Sequence, residues 1–429
     1  MKDIALYALE ALTKAGADKA SCGVAKGRSD EFNIEANKFT LLRTLFNDSL
    51  SLKALVGGRK GTATVNKLDK DSIDDAVANC ITLANSAEPD EAEDIAPLSE
   101  NKDFDQSIGG ADLAKLFERS KEYLEQVQDE FPKIMLEGFS SSFGGGEYAY
   151  VNSNGVIFTG KKESYGFSSM FIAKDGEKTS SFNGAGGSLL NLDKAFIESP
   201  LHRSQLEDSV KSLDTRMFDG THKGKIIVTP TCYDIWGTII GCFLSDGALI
   251  EGTSLWKDRL GEKVADACLT MRSIPLDPSI VNGERFTADG FLSANNDFIL
   301  EGVLKSFALG LYGSKKTGKP RAANTSHYTL EIVPGNTPLE EMIKGIDKGI
   351  LLNRFSGASP GPSGDVSGIA KNSFLIENGK IADALKETMV SFNVQDAINN
   401  IVAISKEKVV DGGGIMPWCA FDGITISGK

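Results

Sequence analysis

Apolar residues recur every three or four positions at the start of the chain. Ile4, Ala8, Leu9, Leu12 and Ala15 fall on one face, which predicts an amphipathic helix. The same period predicts helices over 70–87, 111–130, 190–212, 231–246, 338–352 and 393–404. In 231–246, TCYDIWGTIIGCFLSD, the apolar set is Ile235, Trp236, Ile239, Ile240 and Phe243, with Gly237 and Gly241 a turn apart on a neighbouring face. The helix at 338 has a signed start: Thr337 as cap, Pro338 at the first helical position and Glu340 completing a capping box. The mixed charges of 111–130, Lys115, Glu118, Arg119, Lys121 and Glu122, read as a solvated face.

Alternating runs joined by turn dipeptides predict hairpins. Asn154-Gly155 divides YAYVNSNGVIFTG, Asp175-Gly176 divides SSMFIAKDGEKTSSF, and Asn378-Gly379 divides SFLIENGKIAD. Hairpins imply antiparallel sheet, and few strands are separated by a single crossover helix. The fold class is therefore α+β, rich in antiparallel sheet, not doubly wound. Polar stretches at 96–110 and 214–224 divide the chain into segments 1–95, 110–213 and 222–429. The run GASPGPSGDVSG (357–368) reads as a long loop, a lid or a wall of a binding groove.

At 429 residues a core forms without disulfides or metal staples. The net charge of −13 argues against a nucleic-acid or anionic-membrane surface. No window approaches the roughly 18 apolar residues of a membrane span, and the N-terminal helix is too charged for a signal peptide. The six cysteines form no CxxC pair and read as buried thiols of a reducing compartment, so the expected location is cytoplasmic.

Candidate chemistry is sparse. The three histidines, His202, His222 and His327, are far apart, and neither HExxH nor HExxxH occurs. His202 and His222 are expected at the surface, His327 on a strand. Gly357-Ala358-Ser359-Pro360-Gly361 spells GxSxG, but Pro360 lacks the N–H that an oxyanion hole needs there. The glycine runs 144–146, 184–187 and 412–414 lack the strand–GxGxxG–helix context and read as turns or bulges. The basic segment GSKKTGKPRAAN (313–324) reads as a solvated loop, or as a grip for phosphate or a carboxylate terminus. Cys419 has no neighbouring histidine to activate it.

The ordered segments GGRKGTATVN (57–66), VNSNGV (151–156), SLWKDRLGEKVADACLTMRSIP (254–275), FILEGVLKSFALGLYGSKKTGKPRAANT (298–325), EIVPGN (331–336), MIKGIDKGILL (342–352) and IENGKI (376–381) resemble the TldD/PmbA family, long labelled modulators of DNA gyrase. The resemblance implies an α/β N-terminal part and a larger β-rich C-terminal domain. It also implies two branches. TldD-type chains carry zinc on a helical HExxxH with a further cysteine ligand near the C-terminus. PmbA-type chains, also called TldE, lack the motif and pair with TldD. At the motif position this chain reads Gly237-Thr238-Ile239-Ile240-Gly241-Cys242, without histidine or glutamate, and 402–414 holds no cysteine. The implied role is a non-catalytic subunit that binds no cofactor. Zinc is expected on a TldD-like partner in a heterodimer, with a homodimer when alone. The implied substrates are unfolded peptides, a microcin precursor and an antitoxin among them. The glycines of the motif helix are expected to admit a close backbone neighbour. Matching family segments put Arg321, Asn324, Pro334 and Gly335 in a peptide groove. An independent hydrolase and a protein-binding regulator of gyrase are the alternatives.

Overall fold

The computed structural model describes residues 1–325, 329–357, 359–361 and 363–428. His327 and Ala358 lie outside the described residues. The described residues build two sheets. The first, of eight strands, runs β3-β2-β1-β5-β6, all antiparallel: β1 (Lys19–Glu35), β2 (Lys38–Val56), β3 (Arg59–Val65), β5 (Ile134–Asn152) and β6 (Ile157–Asp175). On the far side of β6, β4 (Lys102–Gln106) pairs parallel to its first half and β8 (Asn183–Leu189) antiparallel to its second; β7 (Lys178–Thr179) closes the 175–178 turn. Segments 1–95 and 110–213 thus contribute strands to one sheet. Helices α1 (Lys2–Lys14) and α2 (Lys70–Ser86) cover one end, where Ala8, Leu12, Val24, Leu52 and Val77 form a core. Helix α3 (Leu113–Glu130) and α4 (His202–Lys211) cover the other, over Phe139, Phe167, Phe171 and Phe196.

The second sheet, of fourteen strands, is centred on the strand Ile415–Ser427, antiparallel to Thr221–Val228 and Ile401–Val410. Strand Lys348–Leu352 runs parallel to Thr221–Val228. The largest core lies on this sheet, with Trp236, Phe243, Trp256, Phe298 and Phe421 buried. Among the described residues no helix is long and apolar enough to cross a membrane.

Three of the expected helices need revision here. The helix expected over 338–352 is Leu339–Lys344 only, and 348–352 is a strand. Gly349 through Leu352 are all buried, so the apolar run satisfies a two-sided interior strand, which has no helical face to show. Pro338 itself is the cap, and Glu407 Oε2 accepts from Leu339 N–H at 2.9 Å in place of the expected capping box. The helix over 393–404 stops at Asn399, and Ile401–Val410 is a strand. In 190–212, Pro200 precedes a left-handed Leu201, and only His202–Lys211 is α-helical. Of the hairpin turns, Asn378-Gly379 has both residues at positive φ, as a type I′ turn needs, whereas at Asn154-Gly155 only the glycine does.

The glycines at 144–146 are neither turn nor bulge. They lie in β5, paired with β1 and β6 on both sides. Gly184–Gly187 are strand too, in β8. Gly412 is a true turn residue with φ of 84°.

Candidate functional site

The stretch 231–246 is not one helix. Helix α5 (Tyr233–Ile239) passes into a wider, π-helical turn over Ile240–Leu244, and Ser245 then caps a short helix at Asp246 by accepting from Ala248 N–H. The inner side of the stretch is fixed by apolar packing. Trp236, Ile239, Ile240 and Phe243 are buried, with Trp236 6.2 Å from Phe421 and Phe243 5.0 Å from Trp256.

The outer side borders a cleft of about 160 Å³. Thr231, Cys232, Ile235 and Thr238 form one wall, and Arg354, Phe355, Ser359 and Pro360 the other. The long loop after 357 is therefore a wall of this cleft. The Cys242 thiol lies 3.7 Å from the Pro360 carbonyl, and burial raises its pKa. Gly237 and Gly241 do not admit a backbone neighbour: a Cβ built on either meets nothing within 4 Å, so that expectation is corrected.

The cleft opens, through Thr231 and Arg354, into a groove of about 410 Å³ along β8, lined by Met170, Phe182, Gly184, Gly186, Gln205 and Asn353. Ser168 and Gly186 carry this into a third stretch of about 420 Å³ that reaches Asp411 and Gly413. The groove thus follows the outer edge of β8. Ser188 N–H already turns away from β6 and donates to the Asp411 carbonyl at 3.1 Å. Alternation places the backbone groups of Gly186 and Gly184 in the same direction, toward the groove.

Electrostatics here are modest. Arg354 Nη1 donates to the Phe182 carbonyl at 2.8 Å, and its guanidinium lies 3.7 Å from the Phe182 ring centroid. Asn353 Nδ2 donates to Asp208 Oδ2 at 3.3 Å, and burial raises the Asp208 pKa despite Lys211. These groups suit an extended main chain with uncharged side chains. They form no nucleophile–base pair.

The described histidines stand elsewhere. His202 is not at the surface but fully buried: Nδ1 donates to the Phe196 carbonyl at 3.1 Å and Nε2 accepts from Tyr123 Oη at 2.9 Å. His222, half-buried, lies on the strand Thr221–Val228. Among the described residues no group of three or more His, Cys, Asp or Glu side chains could hold a metal ion. Gly237, Thr238, Gly241 and Cys242 supply a single thiol between them, so these positions do not fit zinc.

None of Arg321, Asn324, Pro334 and Gly335 lines the cleft or the groove. Arg321 forms a two-pronged pair with Asp289 at 2.7 and 3.0 Å and stacks on Phe291 at 3.7 Å. Asn324 is buried and donates to Ser273 Oγ at 3.0 Å. Gly335, beside Pro334, donates to the Ser405 carbonyl at 3.0 Å, and a Cβ there would overlap the Ile404 carbonyl. The basic segment is not a free grip. Lys315 pairs with Asp94, and Lys316 with Asp90 at 2.9 Å, where Tyr312 Oη also donates. It clasps the helix Leu311–Thr317 to the loop after α2. The residues missed from sequence are Arg354, Asn353 and the β8 edge. The glycines of 184–187 were the available signal, since an edge strand without side chains leaves its backbone open.

Residues 221–428 match the PmbA/TldA metallopeptidase C-terminal domain. The C-terminal half of the chain thus resembles the PmbA/TldD family, and similarity to proteins of that family extends over most of its length. It is 22% identical to "Metalloprotease PmbA homolog" of Haemophilus influenzae, over 94% of this chain and 90% of that protein. With "Metalloprotease PmbA" of Escherichia coli O157:H7 it shares 20%, over 90% and 89%. The fold is that of TldE from Thermococcus kodakarensis: TM-score 0.87, 18% identity, 99% of this chain and 100% of that one. A Bacteroides thetaiotaomicron protein described as a candidate modulator of DNA gyrase matches equally, with TM-score 0.87, 23% identity and coverage of 100% and 99%.

Proposed function

We propose that this chain is a PmbA/TldE-type subunit without catalytic groups of its own, working in the cytoplasm in a peptidase assembly. It holds an extended, unfolded peptide in the groove beside β8, while a TldD-like partner carries the zinc and cuts.

The observation that carries this reading is the wide turn after α5. HExxxH separates its histidines by five residues, positions 237 and 242 here. In a regular α-helix, residues i and i+5 point some 140° apart, whereas a π-helical turn, closed i→i+5, brings them toward one face. This chain has a π-helical turn at Ile240–Leu244, which takes in Cys242 and follows directly on the α-helical turn that holds Gly237. Such a turn forgoes regular α-helical hydrogen bonding, and Gly237 and Cys242 supply no pair of metal-binding side chains that would require it. A framework inherited from a metal-binding helix, kept for its place in the core and beside the groove, accounts for it. The peptide role rests on the β8 edge, because strand addition needs backbone groups more than particular side chains.

Hydrolysis of an unfolded peptide by this chain alone, by a TldD-like protein of the same genome alone, and by the two together tests the proposal. Cleavage by the mixture, faster than by the partner alone and abolished by chelator, is expected. Chelator-insensitive cleavage by this chain alone would overturn it.

A further inference from the structure

The cleft beside α5 is built differently from the groove that it joins. Its mouth is polar and exposed at Thr231 and Ser359, whereas Pro360, Val366 and Val394 are buried. A polar rim over an apolar floor is the anatomy of a side-chain pocket, not of a main-chain edge. Two rings also line it: Phe355 and Phe392 stand 6.0 Å apart, tilted at 55°.

The Phe355 ring is seated by two glycines. Gly357 and Gly368 pair across strands Arg354–Gly357 and Asp365–Lys371, and a Cβ on either would come to 2.5 Å from the ring. The loop that supplies Ser359 and Pro360 is tied as well. Gly364, at φ of 81°, donates to the Gly361 carbonyl at 2.9 Å and accepts from Val394 N–H at 2.8 Å. Behind the floor, Ile235, Phe392 and Val394 also border a hollow of about 20 Å³, together with Trp236, Ile239 and Phe421. Every residue around it is apolar, so it stays dry. Interiors are otherwise close-packed, and slack at this place lets the floor yield as a group enters.

Size and lining select the occupant. At about 160 Å³ the cleft is close to the ~150 Å³ of an apolar cavity that takes benzene. A charged side chain would lose its water against Phe355, Phe392 and Val366. An aromatic ring fills the space and meets two rings already there.

We propose that this cleft is a pocket for one aromatic side chain, phenylalanine above all, of the peptide held beside β8, so that the chain selects unfolded segments by an aromatic anchor. The proposal rests on the peptide reading, since the cleft meets the groove at Thr231 and Arg354, next to Phe182 and the Gly184 end of β8.

Fluorescence anisotropy of the full chain with a dye-labelled Gly/Ser/Thr peptide carrying a single Phe, Leu, Ala or Glu tests it. The Phe peptide is expected to bind roughly tenfold or more tighter than the Ala peptide, with Leu between them and Glu weakest. Thr238→Trp fills the cleft from α5, and Ser359→Trp fills it from the exposed loop. Each should bring the Phe peptide down to the affinity of the Ala peptide, with a thermal midpoint showing that the variant folds. Equal binding of the Phe and Ala peptides overturns the proposal and leaves the groove standing. So does a Phe advantage that both Trp variants retain. Saturation-transfer NMR with N-acetylphenylalaninamide addresses the pocket without the groove: transfer is expected from the parent chain and lost in the Trp variants. If no peptide binds while this transfer is seen, the β8 reading fails and the aromatic pocket stands; if neither is seen, both fail.

Discussion

Arg354 joins the two sheets across the groove: it donates to the Phe182 carbonyl at 2.8 Å while its guanidinium covers the Phe182 ring at 3.7 Å. Phe182 leads into β8, so one contact fixes both the groove wall and the edge strand. Removing it with Arg354→Ala is expected to cost about 1–2 kcal/mol, from a stacked cation and a hydrogen bond to a charged donor. Chemical denaturation with the variant's m-value checked against the parent measures this. Arg354→Lys should recover less than half, because an ammonium does not stack as a planar fork does.

Two glycines make opposite predictions. A Cβ on Gly61 would overlap the Cys80 carbonyl of α2, so Gly61→Ala must displace a helix and should lose several kcal/mol. Gly237 sits in α5 with open space around it. Gly237→Ala should gain about 0.5–1 kcal/mol, the helix-propensity difference. Thermal midpoints of the two variants separate a packing glycine from one with open space around it.

His202 sets an acid limit. Burial among Phe167, Phe171 and Tyr123 pushes its pKa down from 6.5 to about 4. The folded chain keeps the ring neutral where the unfolded chain takes a proton. Its contribution is therefore intact above pH 6.5 and is lost as pH falls toward 4, by roughly 3 kcal/mol in all. His202→Gln, which keeps a donor and an acceptor, should flatten the stability curve over that window. Denaturation midpoints at pH 7, 6, 5 and 4 read this directly.

Much of the fold was legible in the sequence because its elements are locally determined. Asp112 and Asp69 cap α3 and α2 where the apolar period begins, and Asn378-Gly379 turns as its residue types require. The failures came where tertiary context overrides period. Ile350, Leu351 and Leu352 are apolar at every position, and only their place between Ile226–Val228 and Phe374–Ile376 makes them strand. His202 is expected at the surface, yet α4 carries its ring inward. Of the site, the apolar face of 235–243 could be read, since it is contiguous. The groove could not, because Arg354, Phe182 and Gly186 meet across 172 residues and act through backbone.

The most direct measurement is native mass spectrometry of this chain co-expressed with a TldD-like protein from the same genome and purified through a tag on this chain. A complex of equal subunits is predicted, with zinc retained by the partner and none by this chain after separation. Zinc on this chain alone, with no partner retained, would contradict the non-catalytic reading of the helix at Tyr233–Ile239.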